Sequence, residues 1–201
     1  MTGKSRREEY AAQTRAAVIA AAVELFADKG YAATTMDAVA AQARVAKGGV
    51  YHHFANKAEL FEATFIAMEE RLLGRVMTVI ESTPDTEQMV VAGIDTFLTE
   101  CFQPQFRRIV LEEAPAALGW QRFKEIDESF FLGLMKGGLA DLASTGRYAV
   151  ADEDLTARVL LAALTEAGLS AASASDPDAA LEQARALAAQ LLRGLRSDAT
   201  T

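Results

Sequence analysis

Residues that build covalent cross-links or metal sites are nearly missing from this chain. Its 201 residues include one cysteine, Cys101, and two histidines, His52 and His53. A single cysteine cannot form a disulfide within the chain or a cysteine-rich zinc site. The two histidines are adjacent, so on a helix they would point about 100° apart and would not chelate one ion together. We therefore expect neither a metal nor a cofactor.

Proline and strand-forming patterns are also scarce. The chain has four prolines, whereas alanine, leucine, glutamate and arginine, which favour helices, are abundant. No run of alternating β-branched residues is long enough to predict a strand. The sequence predicts an all-α fold of about nine helices, with an N-terminal three-helix head and a C-terminal helical body.

Several functional classes are disfavoured by what the chain lacks. No segment reaches about 18 uncharged apolar residues, so we expect no membrane-spanning helix. The first residues lack the apolar stretch of a signal peptide. Neither a Ser/His/Asp or Cys/His arrangement nor a phosphate-cradling loop is present, so no catalytic residues are predicted. We expect a soluble, cytoplasmic protein that is not an enzyme.

The charge of the chain is unevenly distributed. The formal net charge is −8, yet residues 1–60 carry eight basic and six acidic side chains, a net +2, which leaves −10 for residues 61–201. A basic segment joined to an acidic one is common when a DNA-binding module precedes another domain, although so small a positive charge also fits an ordinary surface. The predicted domains are residues 1–60 and residues 61–201.

The most informative window is residues 30–60, GYAATTMDAVAAQARVAKGGVYHHFANKAEL. It predicts a short helix, a tight turn around Arg44, a second short helix and the capped start of a third. In the second helix Val50 and Phe54 share an inward face. The residues left on its outward face are Lys47, Gly48, Tyr51 and His52. A short helix with an exposed basic and aromatic face is typical of the recognition helix in a helix-turn-helix.

The residue types on this helix suit contacts with double-stranded DNA. The Gly48-Gly49 pair costs the helix about 1 kcal/mol per glycine relative to alanine, which is most easily explained if the backbone approaches a ligand closely. Lys47 can donate to guanine edges or to phosphates. Phosphate contacts are expected of Thr35, Tyr51 and Lys57.

Aromatic residues and methionine concentrate between residues 97 and 135. Such side chains can line an adaptable pocket for a small, largely apolar effector, although each fits an ordinary core equally well. The predicted pocket residues are Phe97, Cys101, Phe102, Phe106, Trp120, Phe123, Phe130, Phe131 and Met135. The acidic pair Glu112-Glu113 would add a carboxylate if it reached the pocket, but on a short helix such residues are more often solvated.

The last two predicted helices are apolar on more than one side. Their apolar residues recur every three or four positions, the pattern of a helix-bundle seam. The residues of this pattern are Leu155, Val159, Ala163, Ala167, Leu181, Ala184, Ala188, Leu191 and Leu195. A hairpin that is apolar on two sides needs a partner on each, so one face would pack on the body and the other on a two-fold copy in a homodimer. The alternative is a monomer that buries both helices.

Residues 30–60 resemble the DNA-binding head of the tetracycline-repressor (TetR) family of bacterial transcriptional regulators. The resemblance covers about a quarter of the chain and rests on Gly30, Thr34-Thr35-Met36, Val39-Ala40, Ala43, Val45, Lys47-Gly48, Val50-Tyr51, His53-Phe54, Asn56-Lys57 and Glu59-Leu60. It implies a two-fold dimer that binds a palindromic operator, and a body that binds an inducer.

The resemblance also implies roles for single residues in the head. Thr35 would hold a phosphate from the second helix, and Lys57 would hold another from the start of the fourth. The residues that would lie against base edges are Lys47, Gly48 and Gly49. Those that would face the groove and its phosphates are Tyr51, His52 and His53.

Two residues depart from the family pattern. The family usually has glycine where this chain has Arg44, so either Arg44 has a positive φ with some strain or the turn differs slightly. The family usually has serine or threonine where this chain has Ala46, so an N-cap worth about 1 kcal/mol and one hydroxyl contact to phosphate are missing. We hypothesise that Arg44 replaces that contact with a longer side chain.

These observations favour a ligand-responsive transcriptional regulator, and a repressor in particular. The alternative is a helical ligand-binding or protein-interaction module whose head contacts protein and does not bind DNA. The two interpretations differ in whether the head binds DNA in a sequence-specific, salt-sensitive way.

Overall fold

The computed structural model describes residues 6–197, apart from the side chains of residues 171 and 172. Within this range the chain forms nine helices, which confirms the predicted all-α fold. They are α1 (Arg6–Ala33), α2 (Met36–Gln42), α3 (Lys47–His53), α4 (Lys57–Glu81), α5 (Thr86–Cys101), α6 (residues 104–118), α7 (Trp120–Ser144), α8 (Glu153–Ala172) and α9 (Pro177–Gly194). None of these helices is both long and apolar enough to cross a membrane.

The helices form two compact units. The head unit comprises the described residues up to Met68 together with Pro104–Gln121, and the body unit comprises Glu69–Gln103 and the described residues from Arg122 onward. The head therefore extends past the predicted limit at residue 60, because the first turns of α4 and the whole of α6 pack within it. The buried α4 side chains in the head are Leu60, Phe61, Ala63, Thr64, Phe65 and Met68.

The core of the head unit lies between one face of α1 and the start of α4. Val18, Ala22 and Phe26 recur at helical spacing and are fully buried, as the sequence predicts. Phe26 meets Phe61 of α4 edge to face, with ring centroids 5.0 Å apart, an arrangement that aromatic rings favour. Helices α2 and α3 also pack on α1, so this core supports both short helices.

Helix α6 combines three kinds of turn. Pro104–Phe106 is α-helical, Arg107–Glu113 is a π-helix, and Ala114–Leu118 is α-helical again. Pro115 does not end the helix, which continues to Leu118. Pro115 lies in the first α-helical turn after the π-helix, a position that tolerates its missing N–H.

Glu113 joins α6 to the end of α1. Its Oε2 accepts a hydrogen bond from the main-chain N–H of Tyr31, and its Oε1 accepts one from Arg108 Nε at 3.0 Å. Gly30 has φ 80° and ψ 170°, which interrupts the helical backbone of α1. Glu112 instead pairs with Arg107, at 3.3 Å. Both glutamates therefore belong to the head unit, and neither lines a pocket of the body unit.

Part of the dimer seam that was predicted on α9 packs within the protomer instead. In the body unit α9 packs against α8 and α5. Ala184 and Ala188 are buried within the protomer, and Leu191 and Leu195 pack on a cluster that includes Ala157. The residues of α9 that recur every three or four positions thus face their own chain. The sequence could not show this, because a helix that is apolar on two sides does not reveal which side packs within the protomer.

Helix α8 presents a different apolar surface. Leu155 and Val159, one helical turn apart, are 59% and 56% exposed. Leu187 of α9 is also exposed. The remaining residues of the predicted seam, Ala163, Ala167 and Leu181, are half-buried. The exposed part of the predicted seam is therefore centred on α8.

A cavity of about 250 Å³ lies within the body unit. Of the predicted pocket residues, Phe97, Phe131 and Met135 line it, and further apolar lining comes from Val76 and Leu164. Phe106 and Trp120, which were predicted to line the pocket, lie in the head unit instead. The predicted residues of the body unit that lie outside the lining are Cys101, Phe102, Phe123 and Phe130. An aromatic-rich segment that spans three helices has several inward faces, and only some residues of two of these helices, α5 and α7, border the cavity.

Candidate nucleic-acid interface

Helix α2 begins at a side-chain cap. Thr35 Oγ1 accepts a hydrogen bond from the main-chain N–H of Ala38 at 3.2 Å, which stabilises the first turn. The neighbouring Thr34 is buried and donates its hydroxyl hydrogen to Gly30 O at 2.8 Å. Thr35 itself is exposed, so its hydroxyl hydrogen remains available to a phosphate while the oxygen caps the helix.

Arg44 lies at the centre of the turn between α2 and α3. Its φ of 56° is in the left-handed region. This supports the alternative in which Arg44 has a positive φ, over the one in which the turn differs. Arg44 N donates to Ala41 O at 3.1 Å, and Val45 N donates to Ala40 O at 3.0 Å, so the backbone of the turn is hydrogen-bonded. The Arg44 side chain is exposed, and the turn therefore offers a cation where glycine would offer none.

Two side chains fix α3 in the head unit. Val50 and Phe54 are buried, and the guanidinium of Arg15 from α1 lies 5.3 Å from the centre of the Phe54 ring. Ala46 at the N-cap makes no side-chain hydrogen bond, as its residue type predicts. The exposed residues of α3 are Lys47, Gly48, Tyr51 and His52. The helix thus presents to solvent the face that the sequence predicts.

The packing of the head does not require glycine at the start of α3. A Cβ atom added to Gly48 would meet no atom within 4 Å, and one added to Gly49 would lie 3.9 Å from Val45 Cβ. Neither residue has a positive φ. Because the protein itself has room for side chains at both positions, the glycines are best explained by the close approach of a second molecule.

Lys47 has a partner on the preceding helix. Its Nζ lies 2.8 Å from Asp37 Oδ1 and 5.9 Å from the centre of the Tyr51 ring. The hydrogen bond that Lys47 donates to Asp37 raises the pKa of Lys47 above its ordinary value, so the ammonium stays charged at neutral pH. An exposed ion pair contributes little stability, and a DNA acceptor can therefore replace Asp37.

The role of Asp37 was not predicted from the sequence. It stands on α2, ten residues before Lys47, and its distance from α3 depends on the conformation of Arg44 in the turn. An acidic residue that near to Lys47 also reduces the positive potential of the exposed face. Its place in the first turn of α2 is the only sequence signal for its importance, and that position equally suits a solvated carboxylate.

Lys57 makes contacts that differ from its expected role. Its Nζ donates to Tyr31 O at 2.8 Å and to Ala32 O at 3.2 Å, and it lies 4.5 Å from the centre of the Tyr31 ring. These contacts tie the start of α4 to the end of α1. Only one ammonium hydrogen remains for a phosphate, so we expect a smaller contribution to DNA binding from Lys57 than from Lys47.

The two histidines differ in environment. Their rings are edge to face, with centroids 5.2 Å apart; His52 is exposed and His53 is half-buried. Burial, and to a smaller extent His52 and Arg15, lowers the pKa of His53, so His53 is neutral near pH 7. Within residues 6–197, no group of three or more His, Cys, Asp or Glu side chains is arranged to hold a metal ion.

Arg44→Gly is expected to separate the stability of the turn from its DNA contact. Glycine adopts a positive φ freely, so the free energy of unfolding should rise by about 1 kcal/mol. If Arg44 contacts a phosphate, the logarithmic salt slope of operator binding should fall by about one unit. Thermal unfolding and fluorescence anisotropy at several salt concentrations measure the two effects. Arg44→Lys is the control that keeps the charge, and an unchanged slope in Arg44→Gly would rule out the phosphate contact.

Comparison with known proteins agrees with this geometry. Residues 18–64 match the family model described as bacterial regulatory proteins of the tetR family, and residues 87–195 match the tetracyclin repressor-like C-terminal domain. A crystal structure of a TetR-family transcriptional regulator from Pectobacterium atrosepticum has a TM-score of 0.83 and 30% identity, covering 97% of this chain and 99% of that chain.

More distant relatives share the same fold. The fatty acid degradation regulator FadR from Bacillus halodurans has a TM-score of 0.74 at 20% identity, over 98% of this chain and 100% of that one. The TetC protein of transposon Tn10 from Escherichia coli is 22% identical over 160 residues, which is 80% of this chain and 81% of TetC. The matched head and body domains together show that this chain belongs to the TetR family, as a helix-turn-helix transcriptional regulator that binds DNA and not as an enzyme.

Proposed function

We propose that this chain is a dimeric repressor that binds a palindromic operator through α3 and leaves it when a small, largely apolar effector binds the body. The observation that carries the DNA contact is the open space at Gly48, where the protein's own packing has room for a side chain that the sequence does not supply. In this proposal the backbone at Gly48 and Gly49 lies against base edges. Lys47 exchanges Asp37 for a guanine edge or a phosphate.

Phosphate contacts would position α3 in the groove. Thr35 and Arg44 present an exposed hydroxyl and an exposed guanidinium before the helix begins, and Tyr51 presents an exposed phenol on the helix itself. Such contacts fix orientation but carry no sequence information. The base contacts would therefore come from the first turn of α3, with His52 at the edge of the groove and neutral His53 contributing little.

The exposed face of α8 supports a two-fold dimer. Two such protomers would present two copies of α3, which must lie about 34 Å apart to enter successive major-groove faces. An effector in the body cavity, by favouring a different separation of the two heads, would weaken operator binding. The lining of the cavity is almost wholly apolar, which is why a largely apolar effector is proposed.

Val159→Arg is expected to convert the dimer to a monomer. It places a charge at the centre of the proposed interface, where desolvation without a partner is unfavourable, and the expected loss of dimer affinity is about 100-fold or more. Analytical ultracentrifugation measures the change. Val91→Arg is a matched control, because Val91 is 46% exposed against 56% for Val159 but lies on α5. A dimer that survives Val159→Arg would remove α8 from the interface.

Selection from a random pool of double-stranded DNA tests the proposed function. The expected product is an inverted repeat that binds two protomers, with affinity that falls steeply as salt increases. Absence of any enriched sequence would favour the alternative, a module that does not read DNA. A single half-site bound by one protomer would contradict the dimer and leave the DNA contact intact.

A further inference from the structure

Four helices of the body unit line the cavity with apolar side chains. Val76 of α4, Phe97 of α5, Phe131 of α7 and Leu164 of α8 all contribute, and the rings of Phe97 and Phe131 meet edge to face with centroids 6.1 Å apart. The helical repeat places other residues on the same faces one or two turns away. The residues reached in this way are Glu69, Cys101, Asp127 and Gly168.

This next layer is closely packed. A Cβ atom added to Gly168 would lie 2.6 Å from Cys101 Sγ, so α5 and α8 approach each other closely there. Burial, followed by the charges of Glu69, Glu100 and Asp127, raises the pKa of the Cys101 thiol. The carboxylates of α4, α5 and α7 therefore lie near this thiol, and two acidic residues, Glu69 and Asp127, belong to one layer beside the cavity.

Glu69 is buried without a hydrogen-bonding partner. Its exposure is 1%, and neither carboxylate oxygen has a donor. Glu100, which is equally buried, accepts hydrogen bonds from Arg71 Nη2 at 3.1 Å and from Arg75. Buried carboxylates in proteins are normally paired in this way. Glu69 is thus a buried carboxylate for which the described part of the protein supplies no hydrogen-bond donor, in contrast to Glu100.

The charged groups around this layer do not neutralise it. Burial and the charge of Asp127 raise the pKa of Glu69 well above its ordinary value, and burial and Glu128 raise the pKa of Asp127 to about 6. Glu128 is itself paired with Lys124 and Arg158. The nearby arginines of α4 are engaged by Glu100. Among residues 6–197 no salt bridge therefore balances Glu69 or Asp127.

We propose that Glu69 and Asp127 form the cation-binding end of the body cavity, and that the effector is an organic cation, an amine or a quaternary ammonium ion with an apolar body. This rests on the proposed effector site of the body. The apolar body would fill the cavity, and the positive end would face the layer that holds Glu69 and Asp127. The two aromatic rings also favour a cation over an anion.

The lining gives an anionic amphiphile no counter-charge. It contains no lysine or arginine, and its single charged residue is Asp141. A fatty acid would therefore bring its carboxylate toward acidic side chains in either direction, Asp141 or the pair Glu69 and Asp127, and toward no lysine or arginine of the lining. A cation instead favours the ionised forms of Glu69 and Asp127. Its binding is consequently linked to proton release and strengthens as pH rises through the elevated pKa values of the two acids.

Isothermal titration calorimetry with three probes of equal chain length tests the site. The probes are octyltrimethylammonium chloride, 1-octanol and sodium octanoate, titrated into the full chain without DNA. At about pH 7.5 the ammonium probe is expected to bind at least about tenfold more tightly than octanol, and octanoate more weakly than either. The ratio of the ammonium probe's affinity to that of octanol should fall at about pH 5.5, because protonation removes charge from the two acids.

Glu69→Gln and Asp127→Asn remove one charge each while keeping size and shape. Each is expected to weaken binding of octyltrimethylammonium about tenfold and to leave 1-octanol unchanged. Glu166→Gln, on an exposed acid of α8, is the matched control and should change neither. Thermal unfolding verifies that the variants are folded. Equal binding of the three probes, or ammonium binding that both variants retain, would overturn the cation site.

A separate measurement distinguishes failure of the site from failure of the proposed function. Fluorescence anisotropy follows a labelled operator as each probe is added. Release by the ammonium probe, lost in Glu69→Gln, supports both. If calorimetry shows binding of the ammonium probe but the operator is not released, the proposed effector response would be overturned and the cation site would stand. Release by octanol or octanoate without any preference for the cation would overturn the site and leave the response.

Discussion

Gly48→Leu is expected to lower operator affinity by about 100-fold or more while raising the free energy of unfolding by about 1 kcal/mol. The protein has open space at this position, since a Cβ atom would meet nothing within 4 Å, and leucine favours a helix more than glycine does. In the complex the same space would hold base edges. The leucine side chain would push α3 away from the groove, so that several contacts of Lys47 and the backbone are lost together.

The opposite signs of these two effects make the experiment specific. A variant that binds DNA poorly because it is misfolded would be less stable, whereas Gly48→Leu should melt at a higher temperature. Gly74→Leu is the matched control. Gly74 is an exposed glycine within α4 that also has nothing within 4 Å, so it should show the same gain in stability with unchanged operator affinity. Normal operator binding by Gly48→Leu would show that α3 does not approach DNA at this residue.

Gly30→Ala is expected to lower the free energy of unfolding by about 2–3 kcal/mol. At φ 80° and ψ 170°, alanine is strongly disfavoured. Its Cβ would also lie 2.5 Å from Glu113 Oε1 and 2.8 Å from Arg108 Nη2. These side-chain ends can move, but when Glu113 moves, its hydrogen bond with the Tyr31 N–H is lost.

Gly119→Ala separates the two contributions to this loss. Gly119 has nearly the same φ, 82°, but a Cβ atom there would meet nothing within 4 Å. Chemical denaturation of both variants should therefore show a smaller loss for Gly119→Ala, with the difference reporting the contact of α6 with α1. Equal losses would mean that the hydrogen bond from Tyr31 to Glu113 contributes nothing measurable to stability.

Features encoded by short-range patterns were predictable from the sequence. The capping pair of α4 forms as expected, with Asn56 Oδ1 accepting from Glu59 N at 2.9 Å and Glu59 Oε2 accepting from Ala55 N at 2.8 Å. The inward placement of Val50 and Phe54 follows from helical spacing. The positive φ of Arg44 is one of the two alternatives raised by the glycine that the family usually has at this position. Each depends on residues no more than a few positions apart.

Contacts between distant residues were not predictable in the same way. Glu69 stands in the sequence Glu69-Glu70-Arg71, which is typical of a solvated helix face, yet its side chain is buried. The hydrogen bonds of Lys57 to the carbonyl oxygens of Tyr31 and Ala32 were not predicted, because nothing local shows that these atoms lie within its reach. Such contacts depend on how helices pack, and the residue pattern of one helix does not determine this.

The central claim is that α3 enters the major groove at two sites on the operator. Methylation interference with dimethyl sulfate tests it directly, because the reagent modifies guanine N7 in the major groove and adenine N3 in the minor groove. The account predicts that guanine methylation blocks binding in two symmetric patches about 10 base pairs apart, and that Lys47→Ala weakens this interference. Interference confined to adenine N3, or no interference at any guanine, would contradict the account.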